Sequence, residues 1–376
     1  MYEQYKKFLS LQKLTGKRNY SIYLIIAASI LTIIFYFPDY SIARTNNFTQ
    51  INQQIENPFV PYVGEDEHWM QRQYRIIIPS IAHLLGLDGY ALWIIQMLMI
   101  IPFYGITYNV LKQISGDESV STFLTIALAF GYVGKSFFVV HPYYDAIAYI
   151  ILIMSINTTR SYLVFLFVVT AGFIDERAIL ATVIVFVWHS VPLAGNQHSL
   201  IAQLFKFNNT KWAVVLGWMT YLTGRIWLSN QFGFSTQFGQ DSGVEWSIFN
   251  DNLNFIPFAA LLALEGFWII VLVLAANLYT EDKSSILIMA ILLLIILAPM
   301  LFVIDMSRSA AYAFLIPFLL IKINQHVELR LLRQLSLYCL MASFLIPTYI
   351  IFGGVIQSIH WMKPLPAILL RHFLSM

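Results

Sequence analysis

Glu65, Asp66, Glu67 and His68 stand together in the sequence and are followed by Arg72, Arg75 and Pro79. In a helix, positions 65, 68, 72 and 75 step by three and four and share one face. The sequence therefore predicts a helical stripe reading Glu, His, Arg, Arg over 65–78, with Pro79 disfavouring helix at Ile78 and marking an end or a kink. A carboxylate beside two guanidinium groups suits a site that takes a proton from a hydroxyl while it holds a phosphate. The plainer alternative is a solvated loop whose opposite charges pair with one another.

The elements that must carry these residues follow from composition. Of 376 residues, 59% are hydrophobic, 16% aromatic and 11% charged, against about 25% charged in a soluble domain. The net charge of +2 gives no argument for a nucleic-acid partner. The single cysteine, Cys339, allows no disulfide framework within the chain. Apolar runs fall at 20–38, 89–111, 120–140, 145–157, 161–174, 177–194, 212–229, 254–278, 285–304, 309–323 and 334–357. Because a crossing takes about 20 residues, the expected fold is all-α: one polytopic transmembrane bundle, 1–376, of about ten or eleven helices. The short runs between 145 and 194 suit broken or half-inserted helices. Residues 22–37 follow a basic leader (1–19) without a small-residue cleavage site and read as an uncleaved first span.

Lys6, Lys7, Lys13, Lys17 and Arg18 place the N-terminus in the cytoplasm. Alternation from there puts Lys112, Arg160, Lys206, Lys211, Lys283, Lys322, Arg330 and Arg333 on the same side, and most acidic residues opposite. Two outer loops are long: 39–88, whose apolar stretch Ile76 to Leu87 suits a helix lying in the membrane interface, and 230–253, rich in Gln, Gly, Ser and Asn and expected to be irregular. There is no repeat and no glycine-rich phosphate loop.

Further charges sit at outer ends of later spans. Asp145 opens one after His141, Pro142, Tyr143 and Tyr144; Asp175, Glu176 and Arg177 interrupt another; Asp305 and Arg308 lie between two apolar runs. Insertion of an ionisable group at membrane depth costs about 2.5–3.5 kcal/mol, so such groups mark a functional cavity by default. These clusters are expected to line one outward-facing cavity with Glu65, Glu67, His68, Arg72 and Arg75; the alternative is separate structural pairs, Asp175–Arg177 and Asp305–Arg308. His189, His198, His326 and His360 lack metal-ligand spacing and read as surface or interface residues. Glu265 falls inside a candidate span.

This layout resembles the GT-C superfamily of membrane glycosyltransferases, on Glu65-Asp66-Glu67-His68, Tyr74-Arg75-Ile76-Ile77-Ile78-Pro79, Asp175-Glu176-Arg177 and Asp305-Met306-Ser307-Arg308. The resemblance implies transfer of a sugar from a polyprenyl-phosphate carrier to a glycan, lipid or protein acceptor on the non-cytoplasmic face. Asp66 or Glu65 would then take the acceptor proton, inverting the anomeric centre. Arg72 and Arg75, with His68, Arg177 and Arg308 in support, would stabilise the leaving phosphate. Asp145, Asp175, Glu176, Asp305 and Glu67 would line the cavity, and Asp66 with Glu67 could hold a divalent cation. Two other classes share the composition: a polysaccharide polymerase or ligase of the Wzy or O-antigen-ligase kind, which relies on a large late outer loop, and a transporter or flippase.

Overall fold

The computed structural model describes residues 17–38, 48–61, 71–139, 144–191, 200–234, 246–303, 305–346, 349–352, 355–358, 362–363 and 373. It is helical almost throughout, with two small antiparallel ribbons: Phe37–Pro38 pairs with Met362–Lys363, and Tyr349–Phe352 with Val355–Ser358. Among the described residues four helices are long and apolar enough to cross a membrane: Gly89–Ser115, Ile256–Glu281, Lys283–Phe302 and Met306–Ile323. Glu118–Phe130 and Tyr132–Phe138 together make a fifth, bent by 61° at Gly131. Ser21–Phe35, Asp145–Asn157 and Ser161–Ile174 are shorter apolar helices.

The exposed faces explain why so many helices are apolar. On Asn209–Phe232, the residues Trp212, Leu216, Met219, Leu222 and Ile226 form an exposed stripe spaced by three and four. Leu287, Ile291 and Leu294 do the same on Lys283–Leu297. In water each such side chain forgoes about 1.5–3 kcal/mol relative to burial, so the stripes fit an integral membrane protein whose outer surface meets lipid.

Inside, small residues set the packing. Ser161–Ile174 lies against Asn209–Phe232 with Gly172 under the Tyr221 ring, Gly217 against Val168 and Gly224 against Phe173. A methyl group at any of these glycines would approach its neighbour to 2.6–2.7 Å, so the backbones come as close as they do because no side chain intervenes. Met306–Ile323 is buried almost throughout, and packs on Ile256–Leu264, Glu176–Trp188 and Ile100–Ser115.

Helix starts follow local chemistry. The side chains of Asp88, Asp117, Asp175, Asn208, Asp282 and Asp305 each accept a backbone N–H two or three residues ahead and cap a helix. Polar contacts also tie several helix ends together. Arg333 bonds Asp117, His189 meets the Ser155 carbonyl, Asn208 the His189 carbonyl, Lys322 the Trp188 carbonyl, and Asn277 meets Asn324.

Several expectations are corrected. Gln71–Tyr74 is a 3-10 turn, Arg75 and Ile76 are not helical, and a new helix runs Ile77–Leu85. The continuous stripe to residue 78 is therefore broken. Ile78 is helical and Pro79 lies in the first turn of the new helix, where N–H groups have no intrahelical acceptor to lose. The loop 230–253 is helical at both its ends: Asn209–Phe232 runs into it, and Trp246–Leu253 closes it, held by the Asn252 amide on the carbonyls of Met300, Leu301 and Val303. The last apolar run becomes helix only to Leu345 and then the Tyr349–Ser358 ribbon.

Candidate functional site

Four distant segments deliver charged side chains to one buried cluster. Arg75 comes from the stretch just before Ile77–Leu85, Asp145 opens the helix Asp145–Asn157, and Asp175 caps Glu176–Trp188. Arg308 sits on the short helix Met306–Ala310. Tyr144, immediately before Asp145, holds a left-handed φ of 62°, a conformation that costs a residue with a side chain on the order of 1 kcal/mol and persists only where the surroundings impose it.

Asp175 is the hub, with 0% exposure. It receives Arg177 through two hydrogen bonds, Nε at 2.9 Å and Nη2 at 2.6 Å. Arg75 Nη1 lies 3.4 Å away and Arg308 Nη2 3.5 Å away. Asp145 accepts from Arg177 Nη2 at 2.9 Å, from Arg308 Nε, and from the Tyr312 hydroxyl at 3.2 Å. Arg177 also reaches Ser309 Oγ, and its guanidinium lies 5.6 Å from the centre of the Tyr312 ring. Arg75 turns its remaining edge to Glu176, with Nε to Oε2 at 3.0 Å and Nη2 to Oε1 at 2.6 Å.

Among the described residues, three guanidinium groups thus face Asp145, Asp175 and Glu176, three charges of each sign. Balance is what burial demands, since each unpaired ion would cost several kcal/mol. Among the described residues the network opens at Glu176. The Glu176 side chain is 34% exposed, whereas Asp175 and Arg75 are sealed. Arg75 therefore holds a partner that solvent reaches, and its fork matches a phosphate as well as a carboxylate. Beside it, Arg225 lies 4.1 Å from the Tyr74 ring centre, and Tyr74 meets Phe234 edge-on.

The structure brings together Arg75, Asp145, Asp175, Glu176, Arg177 and Arg308. Asp305 sits at the edge: its carboxylate caps the Arg308 N–H and takes the Ser307 hydroxyl, and does not bond the Arg308 guanidinium. The local pair Asp305–Arg308 is thus replaced by a longer-range one, while Asp175–Arg177 is real and is also part of the larger network. Glu65, Asp66, Glu67 and His68 lie outside the described residues, as does the Arg72 side chain, and the divalent-cation pair Asp66 and Glu67 lies there with them. Among the described residues no group of three His, Cys, Asp or Glu side chains could hold a metal ion. Sequence reasoning missed Tyr312 and Ser309, although Tyr312 lies four residues after Arg308 and so on its face. It also missed Lys135, whose signal was a lysine inside an apolar run beside two glycines.

No family model, curated protein or solved structure matches the chain significantly.

Proposed function

We propose that this chain is a polytopic membrane glycosyltransferase, which moves a sugar from a polyprenyl-phosphate donor to a glycan, lipid or protein acceptor on the non-cytoplasmic face. The observation that carries the reading is the convergence of Arg75, Arg177 and Arg308 on Asp175, with Arg75 also paired to Glu176, a carboxylate that reaches solvent. In this reading the donor phosphate takes the Arg75 fork in place of Glu176. The bond from the anomeric carbon to the phosphate oxygen breaks and its electrons stay on the phosphate, where the guanidinium stabilises them. The acceptor hydroxyl attacks the same carbon from the opposite face and gives its proton to a carboxylate. Asp66 and Glu65 are assigned that role; Asp66 precedes Arg75 by nine residues. The basic end of the bundle faces the cytoplasm.

A second reading, transport of lipid-linked substrates, is favoured by one observation: Lys135 and Glu265 are ionisable groups buried at interruptions of two apolar helices. Liposomes holding the purified chain separate the two. Radiolabelled polyprenyl-phosphate sugar is supplied outside with acceptor, and both glycosylated acceptor and label inside are counted. Transfer without transmembrane flux supports the enzyme; flux without transfer refutes it.

A further inference from the structure

Two apolar helices are interrupted, and their interruptions face each other. Glu118–Phe130 ends at Gly131 before Tyr132–Phe138 continues at 61°. Ile256–Leu264 ends at Glu265, passes through the 3-10 turn Glu265–Phe267, and resumes as Trp268–Glu281. Between the breaks lies a small cavity lined by Leu128, Gly131, Tyr132, Leu264 and Glu265 among others, with room for one water-sized guest. Both incoming helices finish there. Their last carbonyls lack full intrahelical pairing, and each helix turns the negative end of its dipole to the same space.

Glu265 adds an ionisable carboxyl group. It is 5% exposed, and it holds a left-handed φ of 48°, which its surroundings must impose. One carboxylate oxygen, Oε1, accepts the Tyr132 N–H at 3.1 Å. The other, Oε2, has no hydrogen-bond partner among the described residues, and a methyl group on Gly131 would come within 2.4 Å of it. Lys135, 1% exposed, does not neutralise it by contact: its Nζ donates to the Tyr349 carbonyl at 3.3 Å and lies 3.8 Å from the Tyr132 ring centre. A buried carboxylate with one bare oxygen, fronted by two helix C-termini, asks for a positive guest.

We propose that this cavity binds one small monovalent cation, sodium, which fits within the space of a single water, with Glu265 Oε2 as the anionic ligand and carbonyls at the two helix ends as neutral ones. Interrupted helices hold sodium this way elsewhere in membranes. A divalent ion is disfavoured because a single carboxylate serves the space and the Lys135 ammonium adds a like charge nearby. The site uses none of the residues assigned to glycosyl transfer, so its test is separate from that reading.

The test is binding of radioactive sodium to the purified full chain in detergent, at constant ionic strength set with choline. Wild type is expected to bind saturably, with unlabelled sodium displacing the tracer and choline failing to. Glu265→Gln should weaken binding at least tenfold, and Gly131→Ala, which crowds Oε2, should weaken it too. Lys135→Met removes the neighbouring like charge and should tighten binding at least threefold, an outcome that no loss of folding can imitate. Each variant is first shown to melt cooperatively without sodium. Absence of saturable binding to cooperatively melting wild type overturns the proposal. So does unchanged binding in Glu265→Gln, or unchanged or weaker binding in Lys135→Met.

Discussion

Arg75 holds Glu176 by two hydrogen bonds, 3.0 and 2.6 Å long, across 101 residues of chain. The same guanidinium lies 3.4 Å from the sealed Asp175, so one side chain joins the closed half of the charge network to its open half. If the open half receives a phosphate, the planar fork matters more than the charge. Arg75→Lys keeps the charge and loses the fork. Hydrogen bonds to charged groups are worth about 1.5–3 kcal/mol, so affinity for polyprenyl monophosphate, read by tryptophan fluorescence in detergent, is expected to fall at least about tenfold. Equal affinity would remove Arg75 from the phosphate site.

Stability should divide the two acids. Asp175→Asn leaves Arg75, Arg177 and Arg308 short of a buried counter-charge, and breaking a buried pair costs about 3–5 kcal/mol. Glu176→Gln should cost on the order of 1 kcal/mol, because that carboxylate reaches solvent. Melting of both variants in one detergent checks the order, and a larger loss for Glu176→Gln would contradict the hub assignment.

How much of this was legible in the sequence depends on range. Helix starts were readable at Asp117, Asp175 and Asp282, because an N-cap acts on residues two or three ahead. The grouping of outer-end charges by alternation named five of the cluster's residues beyond Arg75: Asp145, Asp175, Glu176, Arg177 and Arg308. Which of them pair was not readable. Arg308 lies three residues from Asp305 yet bonds Asp145, because Asp305 is already engaged as a cap. Glu265 was visible inside a candidate span, but its link to Lys135 was not, since that depends on two distant helix breaks coming face to face. Among the described residues the non-glycine positions with positive φ, Tyr144 and Glu265, each adjoin one charge cluster, and no one-dimensional pattern marks either.

At the opposite end of the bundle, Asp117 gives a pH signature. Burial pushes its carboxyl up, but the Arg333 guanidinium and the N–H groups of Val120 and Ser119 outweigh that and hold it below its ordinary value. A carboxyl depressed in the folded state stabilises fully above its unfolded value of about 3.9, and loses that contribution as pH falls through the folded value. The melting difference between wild type and Arg333→Gln should therefore be constant above about pH 5 and shrink below about pH 4. A difference that persists unchanged to about pH 2 would show that the pair contributes no charge-linked stability.

Orientation is testable because the native Cys339 is buried and gives little background. Glu56 and Arg160 are both exposed. In intact cells an impermeant thiol reagent should label Glu56→Cys and spare Arg160→Cys until the membrane is opened. The reverse pattern would turn the basic end outward and move the charge cluster to the wrong face for a polyprenyl-phosphate donor.

The most direct measurement of the central claim is release of lipid phosphate from a panel of radiolabelled polyprenyl-phosphate sugars, incubated with purified chain and a membrane extract supplying acceptor. The account predicts release from at least one donor by wild type, and a loss of about a hundredfold or more in Asp66→Asn or Glu65→Gln, the size expected for a missing general base. Release from no donor by a chain that melts cooperatively, or full release by both carboxylate variants, would contradict it.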